Sequence, residues 1–196
     1  MIRQFLLPLL VLGFLPTAWG ETVEYRIVSG GPNKITLEAD KTGVMRGKKH
    51  NFEFPKFDGK LLFDAAAPQN SRVDLKIDSA AVICNDTWLK DSDRKKVVDY
   101  TLTDMLAVKQ YPEMRFVSSK ITPKGDNKFT VEGTLTIRGN GRPVVLEAVL
   151  AQGAVTIDGN AILKITSFGL KPPSAGFGLA GTKDDMRAQF HVEAKR

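Results

Sequence analysis

The chain has 196 residues, a formal net charge of +6 and one cysteine. Its 28 Lys and Arg residues are interleaved with 22 Asp and Glu residues, and no long basic run with aromatic residues occurs. This distribution gives no support to nucleic-acid binding, while a mild attraction to anionic membrane surfaces stays open. The single cysteine excludes an intrachain disulfide, and the apolar residues before Cys84 predict a buried thiol rather than a reactive one.

The first twenty residues are predicted to be a secretory signal peptide. Arg3 precedes an apolar run that ends at Leu15, and Ala18-Trp19-Gly20 places small residues at positions −3 and −1 of a cleavage site. The run is shorter than the roughly 20 residues that cross a bilayer, so an uncleaved anchor is the less favoured alternative. Residues 21–196 are then expected to form a single domain of a periplasmic or secreted protein.

Most of the remaining chain alternates apolar and polar residues with a period of two, which is typical of strands with one buried face. Turn signals at 125–127, Asn140-Gly141 and Asp158-Gly159 predict successive hairpins, the last between strands at 154–157 and 161–166. A sheet with one apolar face must cover that face, and closure into a barrel does so. The sequence therefore predicts an all-β, up-and-down antiparallel barrel of about eight strands.

One segment has helical rather than β periodicity. Apolar residues at Val98, Leu102, Met105 and Leu106 lie on one stripe, and Tyr111-Pro112 follows. We expect one main helix over about 92–106, placed on the barrel or in one of its ends.

Residues 168–182 are rich in Gly and Pro and are predicted to form an irregular loop. The loop also carries Phe168, Leu170, Phe177 and Leu179, which are unusually apolar for a free surface segment. Three interpretations stay open: a lid over the barrel mouth, an apolar patch for a partner or membrane, or ordinary core packing.

Catalytic and metal-binding motifs are sparse. The sequence contains no GxSxG, HExxH, CxxC or P-loop pattern. His191 has the polar parity of its strand and is expected to face water, whereas His50 shares the parity of Phe52 and Phe54 and could be a polar group inside the barrel. Two His and one Cys on apparently distant strands do not predict a metal site, and no cofactor is predicted.

The apolar parity selects the residues that should face the barrel interior. In a barrel of this size such side chains either fill the interior or line a cavity for one small ligand. The candidate lumen residues are Ile35, Leu37, His50, Phe52, Phe54, Leu75, Phe116, Leu135, Ile137 and Phe190.

Three segments together resemble the YceI-like family. Residues 133–139 with Pro143-Val144 are similar to its G-x-L-T-I-H/R-G … P-V segment, and 111–116 to its Y-P-x-x-x-F segment. Residues 57–64 are similar to its early F-S-G-x-x-x-F-D segment. The resemblance implies a lipocalin-like barrel with a helix, in a secreted or periplasmic protein that holds a polyisoprenoid or a quinone tail in its lumen.

The leading hypothesis is therefore a binding protein that sequesters or carries a long-chain apolar lipid without catalysis. The lipid head group would lie near the mouth, within reach of His50, Arg46 or Lys side chains. Two alternatives stay open: a hydrolase or other enzyme that uses His50 in the cavity, and a barrel with a filled core that acts through its surface. No oligomeric state is predicted.

Overall fold

The computed structural model describes residues 22–151 and 155–196, so the predicted signal peptide lies outside the described residues. The sheet consists of β1 (Thr22–Val28), β2 (Lys34–Gly43), β3 (Lys49–Glu53), β4 (Phe57–Asp64), β5 (Arg72–Asp78), β6 (Ile83–Cys84), β7 (Glu113–Gly125), β8 (Lys128–Ile137), β9 (Asn140–Ala151), β10 (Val155–Lys164), β11 (Ser174–Ala175) and β12 (Ala180–Ala194). The α-helix α1 (Asp91–Tyr100) lies between β6 and β7. Within the described ranges, no helix is both long and apolar enough to cross a bilayer.

The strands form one curled antiparallel sheet in the order β1-β4-β5-β7-β8-β9-β10-β12-β2-β3-β6, with β11 on β12. The edge strand β1 meets the chain just after β12, where the backbones of Arg26 and Lys195 exchange two hydrogen bonds of 2.6 and 2.9 Å. The predicted all-β class is confirmed, but the described residues contain twelve strands rather than about eight. Two of the extra strands, β6 and β11, have only two residues each, which is too short for an alternating pattern.

The order of the strands in the sheet is also not a simple up-and-down meander. From β7 to β10 each strand pairs with its neighbour in sequence, as predicted, but β1 pairs with β4 and β2 pairs with β12. These two pairings join residues that are far apart in the chain. No local pattern reports them, because a strand's alternation shows its buried face and not its partner.

The helix covers one end of the sheet. Near its start, Arg94 donates to the carbonyl of Asp86 in the loop after β6, and beyond its end Arg138 donates to the carbonyl of Asp104. The predicted single helix over 92–106 changes at Thr101, where a π-helical turn (Thr101–Met105) continues it. The hydroxyl of Thr101 donates to the carbonyl of Val97, a back-bond that disturbs regular α-helical geometry.

The hairpin between β8 and β9 turns two residues earlier than predicted. Its central residues are Arg138 and Gly139, with φ of 50° and 72°, while Asn140 already pairs with Ile137. Two positive φ angles in succession define a type I′ turn, whose twist matches the flanking strands. The predicted Asn140-Gly141 turn was therefore wrong in position, although the hairpin exists.

The predicted hairpin at Asp158-Gly159 does not exist, because both residues lie within the single strand β10. Gly159 pairs with Phe190 of β12, and a Cβ at this position would lie 2.2 Å from the Phe190 ring. The glycine is thus required by the close approach of an aromatic side chain and not by a turn.

We predict that Gly159→Ala lowers the free energy of unfolding by about 1–3 kcal/mol, because the new methyl group must displace a ring inside a packed sheet. Urea denaturation followed by circular dichroism measures this difference. The control is Asn160→Ala, at the exposed neighbouring position of β10, which should stay within about 0.5 kcal/mol of the unmodified chain. Equal stability of the two variants would contradict the close packing of Phe190 on Gly159.

Candidate functional site

The sheet encloses a cavity of about 550 Å³. Its wall is formed mainly by aliphatic and aromatic side chains from strands along the whole sheet and from the helix. Several of these side chains, among them Leu37, Phe52 and Phe190, are only half-buried although they lie inside the sheet. The interior is therefore lined rather than filled.

All ten lumen residues selected from the sequence lie in the wall of this cavity: Ile35, Leu37, His50, Phe52, Phe54, Leu75, Phe116, Leu135, Ile137 and Phe190. Glu132, Thr134 and Thr136, which have the opposite parity on β8, are not part of the wall. The period-two pattern thus selected one face of the sheet, and that face is the one that surrounds the cavity.

The mouth of the cavity is marked by the wall residues that are also exposed to solvent. Of all the residues that line the cavity, four are exposed: Lys96 and Tyr100 on α1, and Ser174 and Ala175 on β11. The opening that these residues define lies between the helix and the β11–β12 hairpin.

The four residues of the proposed lid separate into two pairs. Phe168, which is 2% exposed, and the half-buried Leu170 line the cavity close to the mouth. Phe177 and Leu179 point to solvent instead, with exposures of 111% and 66%, and they do not contribute to the wall. The first pair packs as part of the barrel interior, and the second pair does not cover the cavity.

A polar corner interrupts the apolar wall at His50. The Nδ1 atom of His50 lies 2.5 Å from a carboxylate oxygen of Asp86, and the second oxygen of Asp86 accepts the backbone N–H of Asn51 at 2.7 Å. Asp86 is fully buried, and Trp88 stacks on the imidazole ring with the ring centroids 5.7 Å apart. The ring of His50 is therefore held in one orientation, and its Nε2 atom is the nitrogen not engaged by Asp86.

Lys41 extends this polar corner along the wall. It lies on the strand next to His50, half-buried, and its Nζ donates to the hydroxyl of the buried Thr182 at 3.4 Å. Burial lowers the pKa of Lys41, and the charge of Asp86 partly offsets this effect. Both Lys41 and His50 belong to the cavity wall, so this corner offers polar hydrogen-bonding groups to a molecule inside.

Cys84 completes a cluster that sequence reasoning did not assemble. β6 pairs with β3, so Cys84 lies opposite Phe52, and the ligating atoms of His50, Cys84 and Asp86 lie within 4.8 Å of one another. His50 and Cys84 were expected on distant strands, and that expectation was wrong. Burial raises the pKa of the Cys84 thiol to about 11.

Asp86 carried no signal in the sequence. It stands in a loop with no motif, and only the pairing of β6 with β3 brings it to His50. By contrast, His191 lies on the polar face as expected, where its Nδ1 is 2.6 Å from the carboxylate of Asp158.

With the fold and the cavity defined, comparison with known proteins identifies the family. The model of the YceI-like domain matches residues 30–194. This chain belongs to the YceI-like family. A UPF0312 protein of Pseudomonas syringae pv. syringae is 30% identical over 128 residues, which are 61% of this chain and 63% of that protein. The match thus covers less than two thirds of that relative.

Two solved structures show how far the YceI-like fold is shared. Burkholderia cenocepacia BcnA is 25% identical to this chain, and the superposition covers 83% of this chain and 96% of BcnA with a TM-score of 0.65. A polyisoprenoid binding domain from Saccharophagus degradans, implicated in plant cell wall breakdown, has a TM-score of 0.59 at 11% identity. The superposition covers 89% of this chain and 99% of that domain. The second likeness shows the fold alone.

We predict that the thiol of Cys84 reacts with Ellman's reagent about a hundredfold more slowly at pH 8 in the folded protein than in guanidinium chloride. A pKa raised from 9.0 to about 11 reduces the thiolate fraction by that factor, and burial of the sulfur slows the reaction further. The chain has one cysteine, so the absorbance reports this site alone. A folded protein that reacts as fast as the unfolded one would show that Cys84 is an accessible, activated thiol.

Proposed function

We propose that the protein binds one long-chain apolar lipid, of the polyisoprenoid or quinone type, in the lumen of the barrel, and that it sequesters or carries this lipid without catalysis. The observation that carries the proposal is the apolar cavity of about 550 Å³, whose exposed wall residues lie on the helix and on β11. A volume of this size lies within the range of small-molecule sites in proteins.

The half-buried side chains of the wall provide the driving force. Leu37, Phe52 and Phe190 retain accessible apolar surface that faces the cavity. A hydrocarbon chain that enters the lumen covers this surface as well as its own, and each square ångström removed from water contributes roughly 25 cal/mol. The largely preformed wall keeps the entropic cost of binding low.

The polar corner suits the head group of such a lipid. A pure hydrocarbon would leave Lys41 and His50 facing an apolar molecule, whereas a head-group oxygen can accept from Nζ of Lys41 and a head-group hydroxyl can pair with Nε2 of His50. Because Asp86 engages Nδ1 of His50, the Nε2 atom is the nitrogen available to the head group. We therefore expect the head group at Lys41 and His50, with the chain along the apolar wall beyond them.

The comparisons support a lipid ligand by way of the fold. The Saccharophagus degradans neighbour is described as a polyisoprenoid binding domain, so a barrel of this architecture can serve that purpose. In this chain the assignment rests on its own cavity. A polyisoprenoid or a prenylated quinone, with one long chain and one small polar end, matches the apolar wall and the single polar corner better than a compact ligand would.

The two alternative functions fit the geometry less well. The first alternative is a hydrolase or other enzyme that uses His50 in the cavity. If Cys84 were its nucleophile, the sulfur would have to reach the cavity, but Cys84 is 6% exposed and is not part of the wall. Its raised pKa also opposes formation of the thiolate. A barrel with a filled core would leave no room for the lined cavity.

The ligand can be identified by extracting lipids from the purified protein and analysing them by mass spectrometry. We expect one prenyl-type lipid per protein molecule. We expect Ala188→Phe, which places a ring in the lumen, to weaken binding of geranylgeraniol by at least about tenfold. If the ring keeps only about two methylene groups of the ligand out of the lumen, at about 0.8 kcal/mol each, the affinity already falls by that factor.

The matched control is Gln189→Phe, which adds the same ring one residue later on the outer face of β12. It should leave both the affinity and the extracted lipid unchanged. Equal affinities of the two variants, or the absence of any chain-like lipid from the extract, would contradict binding in the lumen.

We further propose export to the periplasm or the exterior, with cleavage after Gly20. The basis is the sequence Ala18-Trp19-Gly20 behind the apolar run. N-terminal sequencing of protein recovered from the periplasm should begin at Glu21. Recovery in the cytoplasm with Met1 intact would refute both the export and the cleavage site.

A further inference from the structure

Two turns next to the mouth form an exposed apolar tip. The turn between β2 and β3 (44–48) and the turn between β11 and β12 (176–179) lie side by side, because the backbone N–H of Val44 donates to the carbonyl of Leu179 at 2.9 Å. Phe177, Val44 and Leu179 are 111%, 76% and 66% exposed, the three highest values among the large apolar side chains in the described ranges. We call these three side chains the tip.

The backbone at Phe177 holds its ring in solvent. Gly176, Phe177 and Gly178 have φ angles of 59°, 54° and 90° in succession. A positive φ is common for glycine and uncommon for a bulky aromatic residue. An Asn or Gly would suit this position better if the turn served only to join two strands. An aromatic side chain in this conformation, without packing contacts that explain it, indicates a role outside the folded chain.

The charge around the tip has one sign. Residues 41–49 contain four Lys or Arg and residues 168–183 contain two, and neither segment contains Asp or Glu. Of the acids that border these segments, Asp40 pairs with Lys183 and Asp185 with Lys164, whereas Asp184 keeps its charge and accepts from Thr166. Helix α1, on the other side of the mouth, carries three acids and three bases and is neutral. The positive charge is thus concentrated at the tip, at Arg46, Lys48 and Lys171.

The tip adjoins the opening of the cavity. Ser174 and Ala175, two of the four exposed wall residues, belong to the same hairpin as Phe177 and Leu179. Lys41, in the polar corner, lies on β2 just before the turn that contains Val44. A surface that contacted the tip would therefore lie directly beside the mouth.

We propose that the tip docks the protein on an anionic lipid bilayer, with Phe177, Leu179 and Val44 in the acyl boundary and Arg46, Lys48 and Lys171 at the head groups. Apolar side chains surrounded by cations match the two layers that a membrane surface presents, an anionic plane above an apolar interior. A soluble acidic protein would satisfy the charges but would not require an aromatic side chain at the furthest point. Docking goes beyond the proposed lipid binding, and a vesicle assay measures it whatever the cavity contains.

The test is sedimentation of the full chain with vesicles of phosphatidylcholine and phosphatidylglycerol, compared with vesicles of phosphatidylcholine alone. We expect binding to the anionic vesicles that falls as NaCl is raised. Phe177→Asn should reduce the partition coefficient roughly tenfold, since a buried aromatic side chain contributes about that much. Asn tolerates the positive φ, so the melting temperature should not change. Arg46→Glu with Lys48→Glu should reduce binding to the anionic vesicles by at least about tenfold.

Matched controls lie elsewhere on the barrel. Ile162→Asn removes an apolar side chain that is 58% exposed on β10, and Lys124→Glu with Lys128→Glu makes the same change of charge at the β7–β8 turn. Both should bind vesicles like the unmodified chain. Residues 1–21 are the same in every variant, so they cannot account for a difference between variants. The proposal is overturned if the tip variants bind vesicles as well as the controls do. It is also overturned if Phe177→Asn abolishes a concentration-dependent self-association, measured by analytical ultracentrifugation, without affecting vesicle binding.

Discussion

Phe116 and Phe190 lie over glycines of neighbouring strands, and this packing determines how much room is left inside the barrel. A Cβ on Gly159 would meet the ring of Phe190 at 2.2 Å, and one on Gly133 would meet the ring of Phe116 at 2.6 Å. The missing side chains leave hollows in the sheet surface, so each ring settles against the backbone rather than extending across the lumen. These two aromatic side chains of the wall thus occupy little of the interior. The cavity, and the binding function proposed for it, depend on this arrangement.

The polar corner is compatible with an apolar interior because its groups are paired. Asp86 is 0% exposed, but both of its carboxylate oxygens accept hydrogen bonds, and within the described ranges no buried side-chain N or O atom lacks a partner. The same residue connects two parts of the fold: its side chain accepts from His50 and Asn51 of β3, and its carbonyl accepts from Arg94 at the start of the helix. Because the helix forms one side of the mouth, the cluster that orients His50 also positions the opening.

The lumen face was predictable from the sequence, whereas the pairing of strands was not. Ile35, Leu135 and Phe190 could be assigned to the interior because alternation along one strand reports its buried face whatever its neighbours are. The contact between His50 and Asp86 depends on a two-residue strand that leaves no periodicity. Gly159 was misread as a turn because a glycine that accommodates a ring and a glycine in a hairpin have the same local signature. Alternation and turn signals predicted the barrel class, the family resemblance agreed with it, and the structure corrected the number of strands and their order.

The positions of the mouth and the tip are related through the chemistry of a chain-like ligand. Each methylene group exposed to water costs about 0.8 kcal/mol, so transfer of a twenty-carbon chain through water would cost about 16 kcal/mol. A lipid of this kind exchanges between a bilayer and a lumen at a useful rate only if the chain avoids water on the way. A barrel whose mouth rests on the membrane removes the aqueous step, and Ser174 and Ala175 at the mouth belong to the hairpin that carries Phe177. A small water-soluble ligand would gain nothing from a docking surface at this point. The location of the tip beside the mouth is therefore what a lipid ligand requires, and the two proposals support each other physically although each can be tested alone.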